Sequence, residues 1–170
     1  MLVHILRHAE AIEPREELRD EWRYLTDKGM KSVEGVARRL IKQDLRPSLI
    51  ISSPRVRAIQ TAQIMADACG RTTKVEISGL LQPDGDVFEL IQFLYQRTKF
   101  KQIMLVGHEP QLSTLTAALL HHEGTRPLKK GSCVVLDFSM KKPDKTARFR
   151  CCITPGKKTV STLRKATASL

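Results

Sequence analysis

Leu49-Ile-Ile-Ser-Ser-Pro-Arg-Val-Arg-Ala-Ile-Gln-Thr-Ala62 changes its hydrophobic period half-way along, and that change decides the fold class. Leu49-Ile-Ile-Ser is an apolar run too short for a helix and predicts a buried strand. Ser53-Pro54 then predicts a helix start, because serine caps the free amides and proline fits the first turn. Val56, Ile59, Ala62 and Ala66 follow at helical spacing until Gly70. A strand running straight into a helix is the repeating unit of an α/β sheet.

The flanking sequence repeats that unit. Towards the N-terminus, Leu2-Val-His-Ile-Leu predicts a strand ending near Arg7. A helix follows, capped by Thr26 or Asp27, with Met30, Val33, Val36, Ala37, Leu40 and Ile41 on one face and Arg46-Pro47 closing it. Towards the C-terminus, Lys74-Val-Glu-Ile predicts a third strand and Val87 to Tyr95 a helix. Gln102-Ile-Met-Leu-Val-Gly predicts a strand, and Pro110 to Leu120 the next helix. Two late strands, Cys133-Val-Val-Leu-Asp-Phe and Ala147 to Ile153, suit a hairpin. The expected fold is α/β, a three-layer α/β/α sandwich with a mostly parallel central sheet. No repeat or linker divides it, so residues 1–158 are expected to form one domain and residues 159–170 a loose basic tail.

Bulk properties agree with a globular chain. The 170 residues are 41% hydrophobic and 28% charged, enough for one domain with a real core. No apolar run approaches a membrane span, and the apolar N-terminal stretch is cut short by Arg7 and His8. Cys69, Cys133, Cys151 and Cys152 lack CxxC spacing and point to a reducing, cytoplasmic setting. Of the formal net charge of +11, +8 falls after Phe138, so the basicity belongs mostly to the C-terminal segment. The tail after Pro155 has no interleaved aromatic residues of the kind that stack on bases, so nucleic acid is not the expected partner. His121-His122 are helix neighbours that cannot face one metal together and are expected in solvent. Cys151 and Cys152, on opposite sides of a strand, are expected one in the core and one at the surface. Trp22 and Tyr24 are expected to pack, with the mouth of a pocket as the alternative.

The chemistry-bearing residues gather at one kind of place. In open α/β sheets, ligands bind beyond the carboxyl ends of the strands, where helix N-termini present free amides. Arg7 and His8 follow the first strand, Arg57 sits in the first turn of the helix after the second, and His108 ends the strand from Gln102. Two arginines and two histidines at such ends suit an oxyanion. The guanidinium fork matches phosphate oxygens, and imidazole can both attack phosphorus and donate hydrogen bonds near neutral pH. Taken singly, each of these residues has a structural explanation; their joint placement points to phosphate chemistry.

These stretches resemble one family. Leu6-Arg7-His8-Ala9 is similar to the Arg-His-Gly signature of the histidine phosphatase superfamily, the phosphoglycerate mutase-like enzymes. Ser53-Pro54-Arg-Val-Arg57-Ala-Ile-Gln-Thr-Ala62 resembles its Ser-Pro-x-x-Arg-Ala-x-Gln-Thr-Ala motif, and Val106-Gly-His108 its second-histidine motif. Leu25-Thr26-x-x-Gly29 and the short chain resemble the SixA-type phosphohistidine phosphatases. The resemblance implies that His8 is the nucleophile and becomes a transient phosphohistidine. It implies that Arg7, Arg57 and His108 hold the phosphoryl oxygens, and that no metal or organic cofactor is needed. Ala9 stands where the family has glycine, adding a methyl beside the nucleophile.

The family's larger branches carry a carboxylate before the second histidine to protonate an alcohol leaving group. Gly79-Leu-Leu-Gln-Pro-Asp-Gly-Asp has no acid immediately before Pro83. Glu10, Glu109 and Asp84 remain candidate proton donors, each with a simpler reading as a rim or turn residue. A missing acid suits a phosphohistidine substrate, whose imidazole leaves far more readily than an alkoxide. The expected activity is therefore removal of phosphate from phosphohistidine in a signalling protein of phosphorelay (HPt) type. The alternatives are a broad small-molecule phosphomonoesterase of the same fold, or a phospho-ligand binding module without catalysis. The partner is a phosphorylated protein or small phosphorylated substrate, with no membrane.

Overall fold

A computed structural model of the chain describes residues 1–97, 99–123, 126–139 and 147–169. Six strands form one sheet in the order β3-β2-β4-β1-β5-β6. They are β1 (Leu2–Arg7), β2 (Leu49–Ser52), β3 (Lys74–Ile77), β4 (Gln102–Gly107), β5 (Cys133–Phe138) and β6 (Ala147–Ile153). β1, β2, β3 and β4 pair in parallel, β5 runs antiparallel to β1, and β6 antiparallel to β5. Only β5 opposes the common direction, so the sheet is mostly parallel and the late hairpin supplies its mixed edge.

Helices α1 (Asp27–Lys42) and α2 (Val56–Cys69) cover one face of the sheet; α3 (Val87–Tyr95), α4 (Gln111–Leu120) and α5 (Leu163–Ser169) cover the other. Both faces are buried, which is why the central strands read as unbroken apolar runs. Leu6, Ile50, Met104 and Val106 meet Val33, Val36, Leu40, Ala62 and Met65 on the first face. Val3, Ile5, Ile51 and Leu105 meet Leu90, Leu94, Leu112, Leu115 and Leu119 on the second.

The caps of α1 and α3 follow local chemistry. The Gly29 N–H donates to Thr26 Oγ1 at 3.0 Å, making Thr26 the cap of α1, and Asp86 caps α3 through Phe88 and Glu89. At α2 the expected serine cap is absent. The helix starts at Val56 with Arg55 as its N-cap residue, and only a 3.4 Å contact joins the Arg55 N–H to Ser53 Oγ. The Ser53 hydroxyl is engaged elsewhere, as described below.

Cys151 and Cys152 do alternate across the sheet, but both are buried, because helices cover both sides of β6. Trp22 and Tyr24 are 56% and 46% exposed, against the expected packing. His121 and His122 are exposed. In the segment after Lys158, Val160 exchanges backbone hydrogen bonds with Cys152, and α5 seats Ala166 in the core. Within the basic C-terminal segment, Arg148 and Arg150 lie exposed on β6; Lys141, Lys142, Lys145 and Leu170 are outside the described residues. Among the described residues no helix is long and apolar enough to cross a membrane.

Candidate active site

β1, β2 and β4 lie side by side and end together, and the three chains leaving them bring the site residues to one place. His8 follows β1, with its backbone N–H on the Gly107 carbonyl at 3.1 Å. Ser53 follows β2, with its backbone N–H on the Val106 carbonyl at 2.9 Å. His108 follows β4. Arg57 is the second residue of α2, whose N-terminus opens on the same edge.

The two imidazoles face one another with ring centroids 4.9 Å apart. The His8 Nδ1–H donates to the backbone carbonyl of Ala9 at 2.7 Å, and Arg57 Nε–H donates to His8 Nε2 at 3.3 Å. Together these contacts place the single proton of a neutral ring on Nδ1 and leave a lone pair on Nε2. Burial, with Arg57, Arg7 and Lys130 nearby, pushes the His8 pKa down to about 4 against the opposing Ala9 contact. His108 is pushed down to about 3, first by burial and then by His8 and the arginines. Both rings are therefore neutral at pH 7. His108 Nε2 lies 2.8 Å from Ser53 Oγ, which sets the orientation of that ring.

Arg7 Nη1 donates to the Leu128 carbonyl at 2.6 Å, while its buried Nε has no partner among the described residues. Burial lowers the Arg7 pKa, with the Glu109 charge acting against it. A guanidinium with an unused buried donor, near enough for its charge to act on His8, suits an anion.

The three candidate proton donors lie apart in character. Glu10 pairs with Lys28 Nζ at 2.9 Å, and that hydrogen bond holds its carboxyl below the ordinary value. Glu109 accepts from the Leu128 N–H at 2.9 Å and from the Ser113 hydroxyl. Asp84 is exposed in the turn after Gln82.

The chain matches the family model of the histidine phosphatase superfamily (branch 1) over residues 3–82. It is 31% identical over 121 residues to an uncharacterized protein of Picosynechococcus sp., covering 70% of this chain and 73% of that one. The chain belongs to the histidine phosphatase superfamily. Among solved structures, the protein histidine phosphatase SixA complexed with tungstate superposes with a TM-score of 0.79 at 22% identity, covering 95% of this chain and 97% of that one. A SixA structure from Agrobacterium tumefaciens gives a TM-score of 0.76 at 24% identity, with coverage of 91% and 98%. This histidine phosphatase thus has the SixA fold, the α/β sandwich of the phosphoglycerate mutase-like proteins.

Several partners around the site escape sequence reading. Thr61 lies one helical turn after Arg57 and joins the Arg57 carbonyl to the Ala9 N–H, with contacts of 2.7 and 3.2 Å. A threonine on the buried face of α2 was the only available signal. Asp20 is the other: it comes from a one-turn 3₁₀ segment, Asp20–Trp22, in a polar stretch without periodicity. Its carboxylate meets Arg23, Arg55 and Arg57. Beside it a groove of about 470 Å³ is lined by Glu21, Trp22, Pro54, Arg55, Val56 and Gln82. The buried Ala9 packs into the α1–α2 side of the core.

Proposed function

We propose that this histidine phosphatase removes the phosphoryl group from phosphohistidine in a protein, through a phosphorylated His8. The observation that carries the proposal is the fixed tautomer of His8: Nδ1–H on the Ala9 carbonyl and Nε2 unprotonated, accepting from the Arg57 Nε–H. The Nε2 lone pair attacks phosphorus, and the bond from phosphorus to the substrate's imidazole nitrogen breaks. That nitrogen keeps the electron pair and takes a proton from water. Water then attacks the phosphorylated His8, the bond from phosphorus to Nε2 breaks, and inorganic phosphate leaves. The proton stays on Nδ1 throughout, donated to the Ala9 carbonyl.

Arg7 and Arg57 hold the phosphoryl oxygens in this scheme, and His108 donates its ring N–H to the same group. Positive charge from the arginines does double duty. It adds to burial, the larger cause, in keeping His8 unprotonated for attack, and stabilises the charge that builds on the transferring oxygens.

The substrate reading is supported by the state of the carboxylates. Glu10 is ion-paired with Lys28, Glu109 is fastened to the loop at Leu128, and Asp84 faces solvent. An alkoxide leaving group needs a proton delivered in the transition state, whereas imidazole does not. The SixA fold accords with this choice. A phosphorelay domain of HPt type in the cytoplasm is the partner we infer, the four free cysteines suiting a reducing compartment.

The test is a comparison of turnover on a phosphohistidine-bearing protein with turnover on sugar phosphates. Higher kcat/KM on the phosphoprotein is expected. Hydrolysis confined to sugar phosphates would assign the site to small phosphomonoesters.

A further inference from the structure

Asp20 lies outside the four residues through which the reaction is written, yet it touches more of the site's positive charge than any of them. Arg23 Nη1 donates to its Oδ1 at 2.7 Å, Arg57 Nη2 donates to its Oδ2 at 2.9 Å, and Arg55 Nη1 donates to Oδ2 as well. Arg57 Nη1 donates to the Asp20 backbone carbonyl at 2.6 Å. Both terminal nitrogens of Arg57 therefore end on one residue. The remaining nitrogen, Nε, is the one placed 3.3 Å from His8 Nε2.

Three roles for such a carboxylate can be separated. As a proton donor Asp20 fails. Its burial raises the pKa, but Arg23, Arg57 and Arg55 outweigh that and hold it down at about 2, so it carries no proton at neutral pH. As a stand-in for substrate, it would have to sit where phosphorus bonds to His8. Instead it accepts from Arg57 Nη1 and Nη2, while Arg57 Nε is the nitrogen on His8 Nε2. The third role is to hold a long, rotamer-rich side chain in the one orientation that serves the reaction. Arg55 and Arg23 each act on Arg57 as like charges, so without the carboxylate between them the three guanidinium groups repel one another.

We propose that Asp20 is a positioning residue for phosphoryl transfer: it fixes the Arg57 guanidinium with Nε turned to the nucleophile, and is itself fixed by Arg23 and Arg55. The proposal rests on the reading of His8 as the nucleophile. It adds the 3₁₀ segment to the machinery and assigns Arg55, beyond the two arginines of the family motif, to the support of Arg57.

The test is a double-mutant cycle of Asp20→Ala and Arg57→Ala, read by kcat and KM on a phosphohistidine-bearing protein and by calorimetric titration with orthovanadate. Asp20→Ala is expected to lower kcat about ten- to a hundredfold, the range common for partners that orient a reacting group, with KM little changed. In the Arg57→Ala background the same change is expected to cost less than about twofold, because the group it acts through is gone. Asp20→Asn, which keeps an acceptor without the charge, is expected to fall between Asp20→Ala and wild type, and serves if the alanine variant unfolds. A rise in kcat/KM on Asp20→Ala would make Asp20 a competitor of substrate. An undiminished loss in the Arg57→Ala background would place its effect elsewhere; either overturns the proposal. A wild-type protein that binds vanadate but turns nothing over would sink the enzymatic reading instead. Asp20 is then judged by the same cycle on vanadate affinity.

Discussion

His108 Nε2 and Ser53 Oγ lie 2.8 Å apart, joining the ends of two neighbouring strands, β4 and β2, inside the site. Ser53 is fully buried, and its hydroxyl serves an imidazole where the sequence suggested a helix cap. Ser53→Ala removes the group that sets the ring. It is expected to lower kcat about ten- to a hundredfold while the fold is kept, as checked by steady-state kinetics beside a thermal melt. Unchanged kcat would mean that His108 is held by packing alone.

The pH profile of activity follows from the two depressed imidazoles. His8 at about 4 and His108 at about 3 are already neutral well below the ordinary histidine value. With the ionisation of the substrate phosphate allowed for, kcat/KM is expected to be level from neutral pH down to about 5 and to fall as pH drops through about 4. An acid limb centred near 6.5 would show that His8 is not desolvated as described.

Stability is expected to depend on pH through a histidine that takes no part in the chemistry. His4 is fully buried in β1, with Gln102 Oε1 at 3.1 Å from Nε2, and its pKa is lowered from 6.5 to about 4 by burial, with the Gln102 bond opposing. The unfolded chain binds that proton more readily. Stability is thus fully present above about pH 6.5 and is lost as pH falls towards 4, by about 3 kcal/mol for this group alone. Urea melts between pH 4.5 and 7.5 should show that slope, flattened in His4→Leu. Equal slopes in the two proteins would contradict it.

Gly29 gives a steric prediction. A Cβ there would stand 2.1 Å from the Glu10 carbonyl oxygen, which also receives the Thr26 N–H. Gly29→Ala must push the helix start away from the segment Ala9-Glu10 that leads out of His8. A loss of about 2–3 kcal/mol in denaturant melts, with reduced kcat, is expected. A stable and fully active variant would show that α1 can shift without disturbing His8.

The layers of this fold were legible because both sheet faces are covered. Continuous apolar strands such as Ile103 to Val106 and helices patterned like α1 leave little choice of architecture. The meeting of His8, Arg57 and His108 was legible because strand ends and a helix N-terminus place them. Asp20 was not, since a polar segment has no period and its contacts with Arg55 and Arg57 span about 35 residues of chain. The burial of both β6 cysteines, where one was expected at the surface, and the Val160 pairing were missed for a related reason. Burial at a sheet edge depends on what a later segment covers, here α5, which strand alternation alone does not reveal.

His8 can be tested as nucleophile by mixing the protein with a phosphohistidine-bearing substrate labelled in its phosphoryl group and trapping the reaction within its first turnover. Label on this chain that is lost in mild acid, resists alkali and maps to His8 is the expected result, absent in His8→Ala. Steady turnover with no such label, or with label on another residue, would contradict covalent transfer through His8.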